Sequence, residues 1–136
     1  MNRLPAIVRA VEIDGSIALV DAQVGAHSYA SLMVGASSEA AEWKVGEPVE
    51  LVFAETEVAL ATQLGGTLSM RNRFPATVRT IESGRILTRV AMEFDGHLLH
   101  ALVTTRAARE LDLQVGDAVT GLVKANEMTV TNPSAQ

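Results

Sequence analysis

Cysteine is absent from this chain of 136 residues, which removes disulfides, thiolate metal sites and cysteine nucleophiles together. Aromatic residues make up only 4%, and 11 lysines and arginines face 16 acidic residues, for a net charge of −5. A general nucleic-acid binder would present a basic surface and stacking rings, so the composition counts against that class and leaves it a third reading, whereas a small anion held by local donors is not excluded. No stretch approaches the ~18 apolar residues of a membrane span, and the opening Met-Asn-Arg-Leu-Pro-Ala-Ile-Val-Arg lacks the apolar run of a signal peptide. The expectation is a cytoplasmic protein with neither membrane nor nucleic acid as partner. No phosphate loop, nucleophile elbow or metal-hydrolase helix is present, so neither an enzyme nor a cofactor is expected.

What the chain does contain is a duplication. Setting Asn2 on Asn72 matches Asn-Arg-Leu-Pro-Ala-Ile-Val-Arg (2–9) to Asn-Arg-Phe-Pro-Ala-Thr-Val-Arg (72–79). The same shift pairs Glu12 with Glu82, His27 with His97, Leu32 with Leu102, Val45-Gly46 with Val115-Gly116, and Val49 with Val119. A period this long suits two small domains of one fold, over 1–64 and 67–132, with Gly65-Gly66 as their boundary. Domains of that size bury only about 60% of their unfolded surface, so packing against each other and against further copies of the chain is expected.

Each copy reads as five short strands rich in Val, Ile and Leu, broken by glycine-containing turns. The first set is Ile7–Ile13, Ile17–Val24, His27–Val34, Val49–Phe53 and Val58–Thr62. The second is Thr77–Glu82, Ile86–Phe94, His97–Thr104, Ala118–Lys124 and Met128–Thr131. One helical candidate follows the third strand of each copy, Ser38–Lys44 and Thr105–Leu111, entered by a hydroxyl residue that can accept from a free amide. The fold expected is all-β, a tandem pair of small five-stranded OB-like barrels, each with one short helix.

The chemistry lies where the copies differ. Ser69-Met70-Arg71 precedes the second copy and has no counterpart in the first, apart from Met1 at the Arg71 position. Lys124 replaces Ala54, and Thr104 replaces Val34. All these differences run from apolar or absent to hydroxyl or cation. Arginine offers a fixed fork of donors suited to an oxyanion, and a hydroxyl two residues away shares its face if the segment is extended. One oxyanion site per chain, in the second copy, is the simplest account. The α-amino group of Met1 in the place of Arg71 is an alternative for the first copy. His97 and His100, three apart on a strand, point to opposite faces and make a poor chelating pair, so no site for a free metal cation is expected. Glu12, Glu82, Asp95 and Asp117 sit beside turns, and no pair of them marks a general acid/base couple.

At these residues the chain resembles the Mop, or molbindin, family of molybdate- and tungstate-binding domains, related to the OB-like TOBE domains of molybdate transporters. Members open with Ser-Ala-Arg-Asn, here Ser69-Met70-Arg71-Asn72, and continue with an Ile-Glu-x-Gly-like turn, here Ile81-Glu82-Ser83-Gly84. Glu110-Leu111-Asp112-Leu113-Gln114-Val115-Gly116 is similar to the family's Glu-Leu-Gly-Leu-x-x-Gly, and Leu122-Val123-Lys124-Ala125 to its closing Val-Ile-Lys-Ala. The resemblance implies an oxyanion pocket shared between subunits, with Ser69, Arg71, Thr104 and Lys124 as ligands beside backbone amides near Met70 and Ala125. Molybdate or tungstate is the implied ligand, storage or homeostasis the implied role, and a homo-oligomer the implied assembly, a trimer in preference to a dimer. Two departures stand out: Ala107 replaces a second helix-entry serine, and Pro75-Ala76 occupies a place usually held by glycine. The competing reading is a non-catalytic oligomerisation or regulatory module whose anion site is vestigial.

Overall fold

Two long strands, one per copy, organise the molecule. In the computed structural model, which describes residues 1–35 and 37–133, the first copy supplies β1 (Asn2–Asp14), β2 (Ile17–Val24), β3 (His27–Val34), β4 (Pro48–Phe53) and β5 (Ala59–Ala61). The second supplies β6 (Asn72–Ser83), β7 (Leu87–Phe94), β8 (His97–Thr104), β9 (Ala118–Val123) and β10 (Thr129–Thr131). Helices α1 (Ser37–Ala40) and α2 (Thr105–Glu110) follow β3 and β8, and single 3-10 turns cover Glu55–Glu57 and Ala125–Glu127.

β1 and β6 each begin some five residues before the apolar run that marks them in the sequence. Prolines Pro5 and Pro75 interrupt the ladder chemistry there, yet both lie in register, opposite Glu50 and Thr120. A bulge between Val8 and Ala10, and again between Val78 and Thr80, bends each long strand. Its first half then pairs with β4 or β9 and its second half with β2 or β7. The repeated Val-Gly dipeptide closes this bend. Gly46 N–H donates to Val8 O at 2.8 Å and Gly116 N–H to Val78 O at 2.8 Å, from φ values of 93° and 95° that side-chain-bearing residues rarely adopt. Curled, OB-like, all-β sheets result.

The fifth strands do not stay with their own copies. The sheet orders are β10-β4-β1-β2-β3 and β5-β9-β6-β7-β8, so each half lends its last strand to the other. Thr129 pairs with Val52 and Thr131 with Glu50, while Ala59 pairs with Leu122 and Ala61 with Thr120. This exchange was not foreseeable from two matching strand patterns.

The halves also share one core. All three phenylalanines and the single tyrosine of the chain meet in it. Tyr29 stacks on Phe74 with ring centroids 4.4 Å apart, Phe74 meets Phe94 edge-on at 5.2 Å, and Phe53 lies 5.3 Å from Phe74. Two asparagines then tie the halves reciprocally. Asn72, buried, bonds both Ala30 N–H and Ala30 O at 2.9 Å, and Asn2, buried, bonds both His100 N–H and His100 O at 2.8 Å. At the β2–β3 hairpin, Gly25 has φ 57°, and a Cβ there would come within 2.5 Å of Asp95 Oδ2 on the β7–β8 hairpin, so the two turns touch only because it is glycine.

Candidate functional site

The last rung of the β6–β9 ladder pairs Asn72 with Val123. The next residues outward are Arg71 on one strand and Lys124 on the other, so the two cations flank one end of one ladder. Alternation along β6 buries Asn72 and turns Arg71 to solvent. Ser69 and Lys124 are also exposed, with Met70 and Ala125 half-buried between them. Among the described residues no ion pair engages Arg71 or Lys124. The result is an open lip with two guanidinium or ammonium donors and a hydroxyl, on a protein that is acidic as a whole.

Both walls of this lip are held by hydrogen bonds to main-chain carbonyls. On one side Lys124 O accepts from Glu127 N–H at 3.0 Å, and Ala125 O from Met128 N–H at 3.4 Å, fixing the 3-10 turn that packs against β3 of the first half. On the other side Arg73, a residue the sequence reading passed over, draws in the opening segment: its Nε donates to Met70 O at 3.2 Å and its Nη2 to Leu68 O at 3.5 Å. Its counterpart Arg3 pairs with Glu50 at 3.5 Å. Thr120 replaces Glu50 in the second copy, so the guanidinium turns to the loop carbonyls instead.

Thr104 lies elsewhere. It pairs with Leu87 at the outer end of β8, beside the Ser83–Thr88 end of β6, whereas the lip caps the Asn72 end. Within one chain the length of β6 separates them. Thr104 Oγ1 accepts the α2 amide of Ala107 at 3.1 Å, which leaves its hydroxyl hydrogen to donate outward. Behind it Thr105 is buried: its hydroxyl donates to Gly84 O at 2.8 Å and lies 2.9 Å from Thr88 Oγ1, anchoring the helix entry to the sheet.

Asp117 and His27, by contrast, have structural partners. Asp117 Oδ2 accepts from Gln114 N–H at 2.9 Å at the turn before β9. His27, which recurs as His97, has its ring 5.0 Å from that of Phe94. Among the described residues, no three His, Asp or Glu side chains converge as a metal site, and no helix is long and apolar enough to cross a membrane.

Comparison with known proteins places these features in context. The family model for the TOBE domain matches residues 68–130. The molybdenum import ATP-binding protein ModC of Brucella abortus (strain 2308) is 38% identical over 78 residues, 57% of this chain and 22% of that protein. The molybdenum transport protein ModE of Herbaspirillum seropedicae is 25% identical over 132 residues, 95% of this chain and 49% of that one. The chain thus spans less than half the length of either relative. A crystal structure of the cytoplasmic molybdate-binding protein ModG with molybdate bound superposes with a TM-score of 0.90 at 28% identity, covering 97% of this chain and 96% of that one.

Proposed function

Because the chain belongs to the Mop/TOBE-like family of molybdate-binding proteins, we propose that it is a non-enzymatic, cytoplasmic binder of molybdate or tungstate that stores or buffers the oxyanion at sites between subunits. Residues 67–132 are the copy carrying the ligand motif, and 1–64 the copy that keeps the framework without it. Each OB-like barrel takes four strands and a short helix from one copy and its fifth strand from the other.

The observation that carries the reading is the lip itself: Arg71 and Lys124 flank one ladder end, exposed and without a carboxylate partner among the described residues. A dianion gives up its hydration only to several convergent donors, and charge-assisted bonds are the strongest of these. Ser69 adds a hydroxyl, and the backbone near Met70 and Ala125 borders the same space. Thr104, at the other end of β6, reaches this lip only from a second copy of the chain. A two-fold dimer, in which each copy's Thr104 meets the other's lip, and a closed ring of three both supply this contact; the trimer is the form the family resemblance implies. Discrimination against sulfate, of equal charge, then rests on the spacing of donors across that junction.

Calorimetry with molybdate, tungstate and sulfate tests this reading. The first two anions are expected to bind more tightly than sulfate, and Arg71→Ala and Lys124→Ala each to lose about 2–4 kcal/mol of binding free energy as a charge-assisted contact disappears. Unchanged affinity in both variants removes the site assignment, and no binding to the folded wild-type protein leaves only the assembly module.

A further inference from the structure

The first half carries a carboxylate of its own at the locus matching the lip. Glu55 follows Ala54 as Ala125 follows Lys124, at the start of the corresponding 3-10 turn. Arg89, on β7 of the other half, grips it with Nε 2.9 Å from Oε1 and Nη2 3.3 Å from Oε2. The amino group of Met1, the residue matching Arg71, lies 3.4 Å from Oε2. Two parallel bonds from one guanidinium to two oxygens are the geometry by which arginine recognises a free oxyanion. Neither partner recurs in the other copy: Ala125 stands for Glu55, and Leu19 for Arg89. The ion pair therefore occurs at only one of the two equivalent junctions. The Glu55 side chain is 22% exposed and that of Arg89 43%, so the pair lies at the rim of the junction between the halves.

Building on the oxyanion reading of the second half, we propose that Glu55 is a resident counter-anion: its carboxylate occupies the first-half locus in place of a dissolved oxyanion, limits the chain to one anion, and masks a second tetrahedral-oxyanion site centred on Arg89. Glu82, opposite Arg89 in the β6–β7 register, keeps a negative charge near the guanidinium, so the unmasked site is weaker than the lip. Bound-anion count therefore follows from one side chain that is part of the protein.

Native mass spectrometry and calorimetry with tungstate test this on the wild type, Glu55→Gln and Glu55→Ala. Glu55→Gln keeps the size and hydrogen-bonding capacity of the side chain, so it preserves the fold should Glu55→Ala loosen it. The expected result is one additional tungstate per chain in the variants, retained when Lys124→Ala is added and lost when Arg89→Ala is added. An unchanged count in folded Glu55→Gln and Glu55→Ala overturns the proposal while leaving the lip intact. A wild type that binds nothing, with variants that gain an Arg89-dependent tungstate, instead overturns the lip and upholds the masked site.

Discussion

The Tyr29 hydroxyl donates to the main-chain carbonyl of Arg73 at 2.8 Å, so a ring in the core of the first half is bonded to the residue whose guanidinium draws in the opening segment of the second. The lip formed by Arg71 and Lys124 is thus tied to the shared core within two bonds. Burial, with a smaller contribution from the negative charge of Asp95, pushes the Tyr29 phenol well above its ordinary value.

An alkaline limit to stability follows from this. A phenol whose folded value is raised contributes stability that is complete below the unfolded value of about 10 and is lost as pH climbs towards the folded one. Because Tyr29 is the only tyrosine, the phenolate absorbance reports it alone. That absorbance is expected to rise together with unfolding rather than before it. Tyr29→Phe is expected to remove the coupling and to cost about 1–2 kcal/mol in chemical denaturation, as the Arg73 carbonyl loses its donor. A phenolate that titrates near pH 10 in the folded protein contradicts the buried bond.

Asn72→Ala deprives the amide and the carbonyl of Ala30 of their partners at once. The expected loss is about 2–3 kcal/mol, in line with two orphaned polar groups, read as a lower denaturation midpoint. Asn2→Ala does the same to His100, and since the two clamps are remote in sequence but share one core, the double variant reports whether the halves unfold as a unit.

An acid limit follows from the Glu55–Arg89 pair. The hydrogen bond from Arg89 holds the Glu55 carboxyl below the usual carboxylate range. Its stabilisation is complete above the ordinary glutamate value of about 4.3 and disappears as pH falls through the lowered folded value. Melting temperature measured between pH 6 and pH 3 is expected to fall less steeply for Glu55→Gln than for the wild type; parallel curves would place the pair outside the folding equilibrium.

The two copies fill equivalent space differently. Leu4, Ala22 and Leu51 in the first correspond to Phe74, Met92 and Gly121 in the second, all buried, so a larger ring and thioether take the room that a leucine fills in the first copy. A Cβ on Gly121 would meet Phe74 Cβ at 3.6 Å and Met92 Sδ at 3.7 Å, ordinary contact distances. Gly121→Ala is therefore expected to be tolerated. Gly121→Leu, which copies the first half into the second, is expected to lose about 1–3 kcal/mol by overpacking, measured in the same denaturation series.

Much of the architecture was legible because alternation and glycine turns are local signals. β2 and β3 span the residues the pattern marks, and α2 differs from expectation by a single residue. The first residues of β1 and β6 were hidden by Pro5 and Pro75, which lack the amide that a ladder normally uses. Strand exchange was invisible for a different reason: β5 and β10 carry the same kind of sequence, so nothing local distinguishes a home partner from a foreign one. At the site, Ser69, Arg71 and Lys124 drew notice because the copies differ there. Arg73 did not, since Arg3 is also arginine; what changes is a residue diagonally across the ladder, Glu50 in one copy and Thr120 in the other. Glu55 and Arg89 are distant in sequence, and only their contact gives either meaning.

The traded edge strands change what the stretch from 62 to 71 has to do. With each half already threaded into its twin, cutting the peptide at Gly65-Gly66 would yield not two liberated domains but an interlocked couple, whose separation requires both sheets to open at once. Cohesion no longer depends on that tether.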